Sequence, residues 1–272
     1  MEKKNYDKCK GETQMAIIVE GRVVSFILLV AIFATFYYLI DQVKRGRQLP
    51  LRRLPAIDGI DEMVGRGMET GRPILFTSGG TGSLASSLAP QLLAGIRFGT
   101  YVAGKCAEIG TKLLAVESHP DVLPLLVGNI EESYRFHGKL APPETVIYIP
   151  HGYSYTLGCG ALITRERAAG AVMVGPFQHE AVFLAEAGLE AGAIQVAGTA
   201  RSSQIAYFAA VVDYPLIGED IYAGAAYLSG IPEQLGTIYG EDPYKLISII
   251  LILLAVISYN LNIPWLLNLL KL

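Results

Sequence analysis

The sequence is short of charged residues and of cysteine. Only 17% of its 272 residues are charged, against roughly 25% in ordinary soluble domains, while 51% are hydrophobic. This composition excludes a disordered chain and a coiled coil, and the net charge of −3 gives no basic footprint for a nucleic-acid partner. The three cysteines, Cys9, Cys106 and Cys159, are an odd number without metal-ligand spacing, which indicates a reducing compartment.

The apolar excess is concentrated near the two ends of the chain. Residues 23–40 are eighteen positions without a charge, which as a helix would cover about 27 Å, close to the hydrocarbon core of a bilayer. A polar lead at 1–22 and the lack of a small-residue cleavage site before Lys44 disfavour a cleaved signal peptide. We therefore expect a permanent transmembrane helix at 23–40.

A second hydrophobic segment follows Lys245. Residues 246–257 are wholly apolar, and the stretch reaches eighteen positions if it continues to residue 263. We expect a second transmembrane helix at 246–263 and an interfacial tail at 264–272, with a buried core helix or an in-plane segment as alternatives.

Basic residues crowd the linker at 41–54, which follows the first expected span. They are Lys44, Arg45, Arg47, Arg52 and Arg53. Because positive charge close to a span favours the cytoplasmic side, we expect a two-pass protein of the cell membrane, with the lipid bilayer as a partner and the middle of the chain in the cytoplasm.

Residues 55–242 alternate between short apolar runs and Ala-, Leu- and Glu-rich stretches. The runs are 73–77, 112–116, 145–149, 171–174 and 193–196. Strands that alternate with helices and are apolar throughout indicate a parallel sheet covered on both faces. We predict an α/β fold, a Rossmann-like three-layer sandwich with a mostly parallel sheet of about five strands, flanked by N- and C-terminal transmembrane helices.

Folds of this class bind ligands beyond the carboxyl ends of their strands. Three of the four histidines, His119, His151 and His179, follow predicted strands and are candidate acid–base catalysts. Together with Glu117 and Glu180 they have the right types for a divalent metal. We favour no metal site, because histidines satisfied by hydrogen bonds at strand ends are commoner.

The loop after the first strand is rich in glycine. Gly80, Gly82 and Ala85 fit the dinucleotide pattern G-x-G-x-x-A, which needs a strand before it and a helix opening directly after it. Glu117 stands where the ribose-binding acid belongs, but it lies 35 residues past Gly82 instead of about 20. The alternative is a tight turn with Ser83 as a helix N-cap.

We therefore predict a binding site for an anionic small molecule, in which Arg201 after the last strand clamps the anion. The alternative role of Arg201 is an ion pair with Glu219 or Asp220. The predicted ligand-binding residues are Ser78, Gly79, Gly80, Thr81, Gly82, Ser83, Glu117 and Arg201.

Nucleophilic catalysis has weaker support. Ser78 or Ser118 with a histidine could form a triad, but no G-x-S-x-G elbow is present. Cys159 could be a thiolate, although a small buried thiol in a glycine-rich turn is the alternative.

Small residues recur at helical spacing and permit close backbone approach. They are Gly95 and Gly99, Gly188 and Gly192, and the stretch 223–230. We expect either contacts between subunits of a homo-oligomer or ordinary packing of helices on the sheet.

The runs PILFTSGGTGS and QVAGTARSSQIAYFAAVVDYPLIGEDIYAGAAYLSG, together with the hydrophobic segments at both ends, resemble a family of membrane-anchored prokaryotic proteins that carry a domain of unknown function. The resemblance covers about residues 50 to 260. It implies a membrane protein with an α/β domain, and it supplies no activity, cofactor or catalytic residue.

These observations predict a membrane-anchored protein that acts as an oligomeric scaffold or as the ligand-binding component of a membrane assembly. The alternative is an enzyme acting on a nucleotide or a phosphorylated small molecule at the same edge of the sheet. A transport path made of the two spans alone is disfavoured, because neither contains a charge.

Overall fold

The computed structural model describes residues 23–45 and 54–260 of the chain. The helices are α1 (Val23–Lys44), α2 (Pro55–Thr70), α3 (Ala89–Ile109), α4 (Leu123–Phe136), α5 (Tyr153–Arg165), α6 (Glu180–Ala191), α7 (Ser202–Val211), α8 (Asp220–Ser229) and α9 (Pro232–Asn260). The strands are β1 (Ile74–Thr77), β2 (Leu113–Glu117), β3 (Val146–Tyr148), β4 (Gly170–Val174), β5 (Ile194–Thr199) and β6 (Tyr214–Ile217).

The six strands form one parallel sheet in the order β3-β2-β1-β4-β5-β6. This is the strand order of doubly wound folds that bind dinucleotides, and the order reverses between β1 and β4. The predicted α/β class and parallel sheet are confirmed. Ligands of such sheets bind where the order reverses, so the loops after β1 and β4 position the candidate site.

Successive strand residues enter two separate hydrophobic cores. Phe76 and Val172 face the core formed with α2, α3, α4 and α8, whereas Leu75 and Met173 face the core formed with α5, α6 and α7. The central strands are buried on both faces, which explains why their sequences are apolar without alternation. The chain thus builds a helix layer on each side of the sheet.

The five predicted strands are present, but the sheet has a sixth, β6, that was not among the predicted strands. β6 lies at the edge of the sheet and contains Pro215, whose missing N–H is tolerated at an edge. The sequence did not predict this strand, because a proline and half-exposed residues are also typical of loops.

The small-residue helix positions pack inside the α/β unit. A Cβ atom added at Gly95 would overlap the Val174 carbonyl, and one at Gly99 would lie 2.5 Å from the Phe76 ring. At Gly224 it would lie 2.5 Å from Phe98, and at Gly188 2.5 Å from Gln195. These four positions follow the packing alternative, whereas Gly192 and Gly230 have positive φ and no atom of the described residues within 4 Å of a Cβ position. The expected homo-oligomer stays a prediction.

The described chain divides into two compact units, and the helix pair formed by α1 and α9 from Gly236 onward is one of them. Tyr244 donates its hydroxyl hydrogen to the Ala31 carbonyl at 3.0 Å, and its ring stacks on Phe36 at 6.0 Å between centroids. Gly240 faces the Phe36 ring so closely that a Cβ atom would overlap it. The first and last described helices are therefore directly paired.

Within residues 23–45 and 54–260, none of the helices combines the length and the apolarity that a membrane crossing requires. The polar tail at 1–22, linker residues 46–53, the end of the second expected span at 261–263 and the tail at 264–272 lie outside the described residues. The predicted segment boundaries at these places stay predictions.

Candidate functional site

The carboxyl ends of the parallel strands bring the predicted site residues to one edge of the sheet. Ser78 follows β1 directly, and Glu117 is the last residue of β2. His151 follows β3, and His179 immediately precedes α6 after β4. Neighbouring parallel strands end at the same edge, so Ser78 and Glu117 become neighbours although they are 39 positions apart along the chain.

Glu117 forms a buried hydrogen-bonded pair with Ser78. The Ser78 hydroxyl donates to Glu117 Oε2 at 2.5 Å, and the backbone N–H groups of Ser118 and His119 donate to Oε1 at 2.8 and 3.0 Å. Burial raises the pKa of this carboxyl, and the three hydrogen bonds oppose the rise. Glu117 is fully buried and both its oxygens accept hydrogen bonds within the protein, and its expected ligand-binding role stays a prediction.

Two of the three candidate histidines converge on a single backbone carbonyl. His119 Nε2 lies 3.3 Å from the Gly80 oxygen, and His151 Nδ1 hydrogen-bonds to the same oxygen. The ring centroids are 5.1 Å apart. Because a carbonyl can only accept, each ring carries a proton on the nitrogen that faces Gly80.

The third candidate histidine lies beside a second buried carboxylate. His179 Nδ1 is 3.7 Å from Glu180 Oε2, and the His179 ring is 5.5 Å from the exposed ring of Tyr153. Glu180 is only 2% exposed, and its Oε1 has no hydrogen-bond partner in the described part of the chain. From the sequence, Glu180 was predicted only as a possible metal ligand, because the sequence does not show that its side chain is buried.

The glycine-rich loop does not open directly onto a helix, which corrects the G-x-G-x-x-A interpretation. Helix α3 begins at Ala89, and its N-cap is Leu88 rather than Ser83. Residues 83–88 form turns whose backbone N–H groups donate within the protein: Ser83 N to Ser86 Oγ, Leu84 N to Asp121 Oδ2, Ala85 N to Ser83 Oγ, Ser86 N to Ser83 O and Leu88 N to Ser86 Oγ. These N–H groups are unavailable to a phosphate.

The loop just before these turns differs in the hydrogen bonding of its backbone N–H groups. The N–H groups of Gly80, Thr81 and Gly82 donate to no group within the described ranges. Gly80 is held tightly, since a Cβ atom there would lie 2.6 Å from the Tyr155 ring and 2.7 Å from Glu180 Oε1. The loop is anchored on the other side by Thr81, whose hydroxyl donates to the Pro176 carbonyl at 2.8 Å.

Arg201 is the N-cap residue of α7 and lies two residues after the end of β5. Its backbone N–H donates to Thr199 Oγ1 at 3.3 Å, and its guanidinium Nη1 is buried without a hydrogen-bond partner among the described residues. Asp220, one of its expected partners, accepts instead from the Ile217 N–H at 3.2 Å. The predicted anion-clamping role of Arg201 stays a prediction.

Tyr155, which lies under the site, was not among the residues predicted from the sequence. Its hydroxyl is 2.5 Å from Thr77 Oγ1, and the residue is fully buried in the core below the glycine loop. Cys159 lies one turn further along α5, is fully buried, and has its pKa raised by burial, so the proposed thiolate is disfavoured. No group of three potential metal ligands occurs in residues 23–45 and 54–260.

Comparison with known proteins gives a family but no activity. No curated protein and no solved structure matches the sequence. A family model described as a domain of unknown function, DUF6754, matches residues 13–270 and thus nearly the whole sequence. The chain therefore belongs to the DUF6754 family.

Proposed function

We propose that this protein is a membrane-anchored α/β protein that binds a small polar molecule at the carboxyl edge of its sheet. The observation that carries the proposal is the cluster of polar side chains around Gly80. Two imidazoles meet at its carbonyl, and the carboxylates of Glu117 and Glu180 are fully or almost fully buried nearby.

Burial of such groups costs folding free energy unless they are satisfied. An unpaired buried polar group costs on the order of 1–3 kcal/mol, and more if it is charged. Clusters of this kind therefore occur preferentially at functional sites, and this one lies next to the point where the strand order reverses. The polar groups of this cluster and its position beside the reversal of the strand order together support ligand binding at this edge of the sheet.

The ligand-binding part of the expected function has more support than the scaffold part. The small-residue helix positions tested above pack inside the domain, so they supply no argument for assembly. The enzyme alternative would use the same histidines. His151 is the stronger candidate, because it is exposed while its Nδ1 is fixed by Gly80.

Native mass spectrometry of the detergent-extracted full chain tests the proposal. We expect an added mass of small-molecule size in the unmodified protein, and a clear loss of its occupancy in His151→Ala. His137→Ala is the matched control, since His137 lies at the end of α4 and its ring hydrogen-bonds to the Ser133 carbonyl of the same helix. A chain that retains no small molecule, or one that retains it equally in His151→Ala, contradicts the proposal.

We further propose that α1 and the apolar part of α9 lie in the bilayer, with the α/β domain in the cytoplasm. The exposed apolar side chains of α1 and α9 support this proposal. It does not rest on a helix of the described residues that is long and apolar enough to cross a membrane. Large side chains at least 44% exposed are Phe26, Leu28, Leu29, Val30, Phe33, Tyr37 and Tyr38 on α1, and Leu246, Ile247, Ile249, Ile250, Ile252, Leu253, Leu254, Val256 and Ile257 on α9. Soluble proteins rarely expose apolar patches of this extent.

A further inference from the structure

We infer that Glu180 is the acid that binds the hydroxyl groups of a nucleoside-type ligand, in place of Glu117 at the end of β2. This inference rests on the proposed ligand-binding function and assigns its ligand class. The proposed hydroxyl-binding acid therefore lies in the first turn of α6, which follows β4, and not at the end of β2.

The hydrogen bonding of the two acids distinguishes them. Glu117 accepts three hydrogen bonds from the protein, which satisfy both its oxygens. Glu180 is equally removed from solvent, yet its Oε1 has no partner in the described chain. A buried carboxylate oxygen without a donor is costly, and a ligand O–H is a group that relieves this cost.

The glycine loop supplies the complementary groups. Glu180 Oε1 lies against Gly80, at 2.7 Å from the position that a Cβ atom would occupy. The N–H groups of Gly80, Thr81 and Gly82 make no hydrogen bond within the described residues. A free acceptor and free donors on adjacent backbone match a hydroxyl, which donates one hydrogen bond and accepts others.

Two other ligand types fit this position less well. A phosphate would meet the carboxylates of Glu117 and Glu180, which are fully or nearly fully buried, and repulsion in a low dielectric is strong. A metal ion would lack a set of three ligands in the described ranges. A neutral pair of vicinal hydroxyls avoids both difficulties.

The surroundings of Glu180 favour an aromatic base attached to the hydroxyl-bearing ring. His179 and Tyr153 form a ring pair at the mouth of the site, where Tyr153 is 77% exposed. Aromatic faces of this kind stack on nucleobases. Because Oε1 is covered by Gly80 and the Tyr155 ring, entry of the ligand displaces residues 79–82.

Binding of adenosine and of 2′,3′-dideoxyadenosine to the full chain in detergent tests the inference, since the two probes differ only in the diol. We expect adenosine to bind at least about tenfold more tightly. Glu180→Gln should remove this preference, whereas Glu186→Gln on the exposed face of α6 should keep it. Hydrogen exchange at residues 79–82 should slow with adenosine alone.

Thermal unfolding separates a ligand-binding acid from a structural one. Glu180→Gln replaces a buried carboxyl group that has one oxygen without a partner in the described chain, so we expect a Tm equal to or above that of the unmodified chain. A structural acid would instead lower the Tm when replaced.

Equal binding of the two nucleosides, absence of binding by either, or unchanged preference in Glu180→Gln overturns the inference. A co-purifying ligand without vicinal hydroxyls also overturns it, while leaving the proposed binding function intact. Failure of the proposed function would be distinguished by the complete absence of a retained molecule in native mass spectrometry.

Discussion

Two buried glutamates at the same edge of one sheet have different surroundings. Glu117 is satisfied by Ser78, which is 39 residues away in the chain, and by the two backbone N–H groups that follow it. Glu180 keeps one oxygen without a partner in the described chain. The sequence placed both acids after strands, but it could not distinguish them, because hydrogen-bond partners far apart in the chain meet only in the folded sheet.

The pH dependence of stability should report the burial of Glu117. Burial raises its pKa above the ordinary value of 4.5, so the native state holds the proton more strongly than the unfolded chain does. The free energy of unfolding should therefore fall as pH rises from about 4.5 through the raised pKa, by about 1.4 kcal/mol for each unit of the rise. Urea unfolding of the unmodified chain and of Glu117→Gln at a series of pH values measures this fall.

Glu117→Gln should lose that contribution, because an amide does not titrate and the Ser78 hydroxyl can turn to accept from it. Glu186→Gln, on the exposed face of α6, should retain the full slope. Parallel curves for the unmodified protein and Glu117→Gln would show that the pKa of this carboxyl is the same in the folded and unfolded states.

At the scale of the element, the sequence predicted the central strands of the sheet but not its edge strand β6. β1, β2, β4 and β5 are buried on both faces, which leaves an unbroken apolar run in the sequence. β6 carries Pro215 and half-exposed residues, which are also typical of loops. The sequence predicts a helix that opens directly after the glycine loop, whereas serine side chains at 83–88 bond to the backbone and hold turns there.

Helix α2 offers two glycines for a matched test of packing. A Cβ atom at Gly67 would lie 2.7 Å from Thr111 Cγ2 and 3.0 Å from the Arg72 carbonyl oxygen, whereas no atom lies within 4 Å of the Cβ position at Gly65. Gly67→Ala should therefore lower the free energy of unfolding by about 1–3 kcal/mol. Gly65→Ala should raise it by about 0.5–1 kcal/mol, since alanine is the better helix former.

Urea unfolding of the two α2 variants, followed by circular dichroism, measures both effects in one helix. Destabilisation by Gly65→Ala, or no effect of Gly67→Ala, would show that α2 packs on the sheet differently from the arrangement described.

At the scale of the whole molecule, the sequence predicted which edge of the sheet would carry the polar residues. Parallel strands necessarily end at one edge, so the positions of Ser78, Glu117 and His151 followed from the strand assignments. The strand order β3-β2-β1-β4-β5-β6 was not predictable, because crossover connections leave the choice of neighbour to long-range packing. Which histidines would share the Gly80 carbonyl depended on that order.

The bilayer proposal is tested by charge on the helix pair. Val30 and Phe33 on α1 are 50% and 67% exposed, while Phe183 and Leu189 on α6 are 55% and 65% exposed. Val30→Lys with Phe33→Lys should release much of the protein from membranes in an alkaline wash, because each lysine costs about 2.5–3.5 kcal/mol at the centre of a span. Phe183→Lys with Leu189→Lys should stay bound.

Membrane fractions of cells that express each double variant, compared after the wash, give the result. Release of the unmodified protein, or equal retention of both double variants, would place the apolar surface of α1 outside the bilayer.

The pairing of α1 with α9 has a consequence for how the α/β domain unfolds. The domain is inserted in the chain between two helices that hold each other through Phe36, Gly240 and Tyr244, so its two ends remain tethered after its own contacts are lost. A tethered segment of this length has fewer unfolded conformations than a free one. If the tether acts as a covalent cross-link does, the lost entropy raises the free energy of the unfolded segment by on the order of 5 kcal/mol. A lipid or detergent that holds the two helices together would thereby stabilise the sheet without touching it.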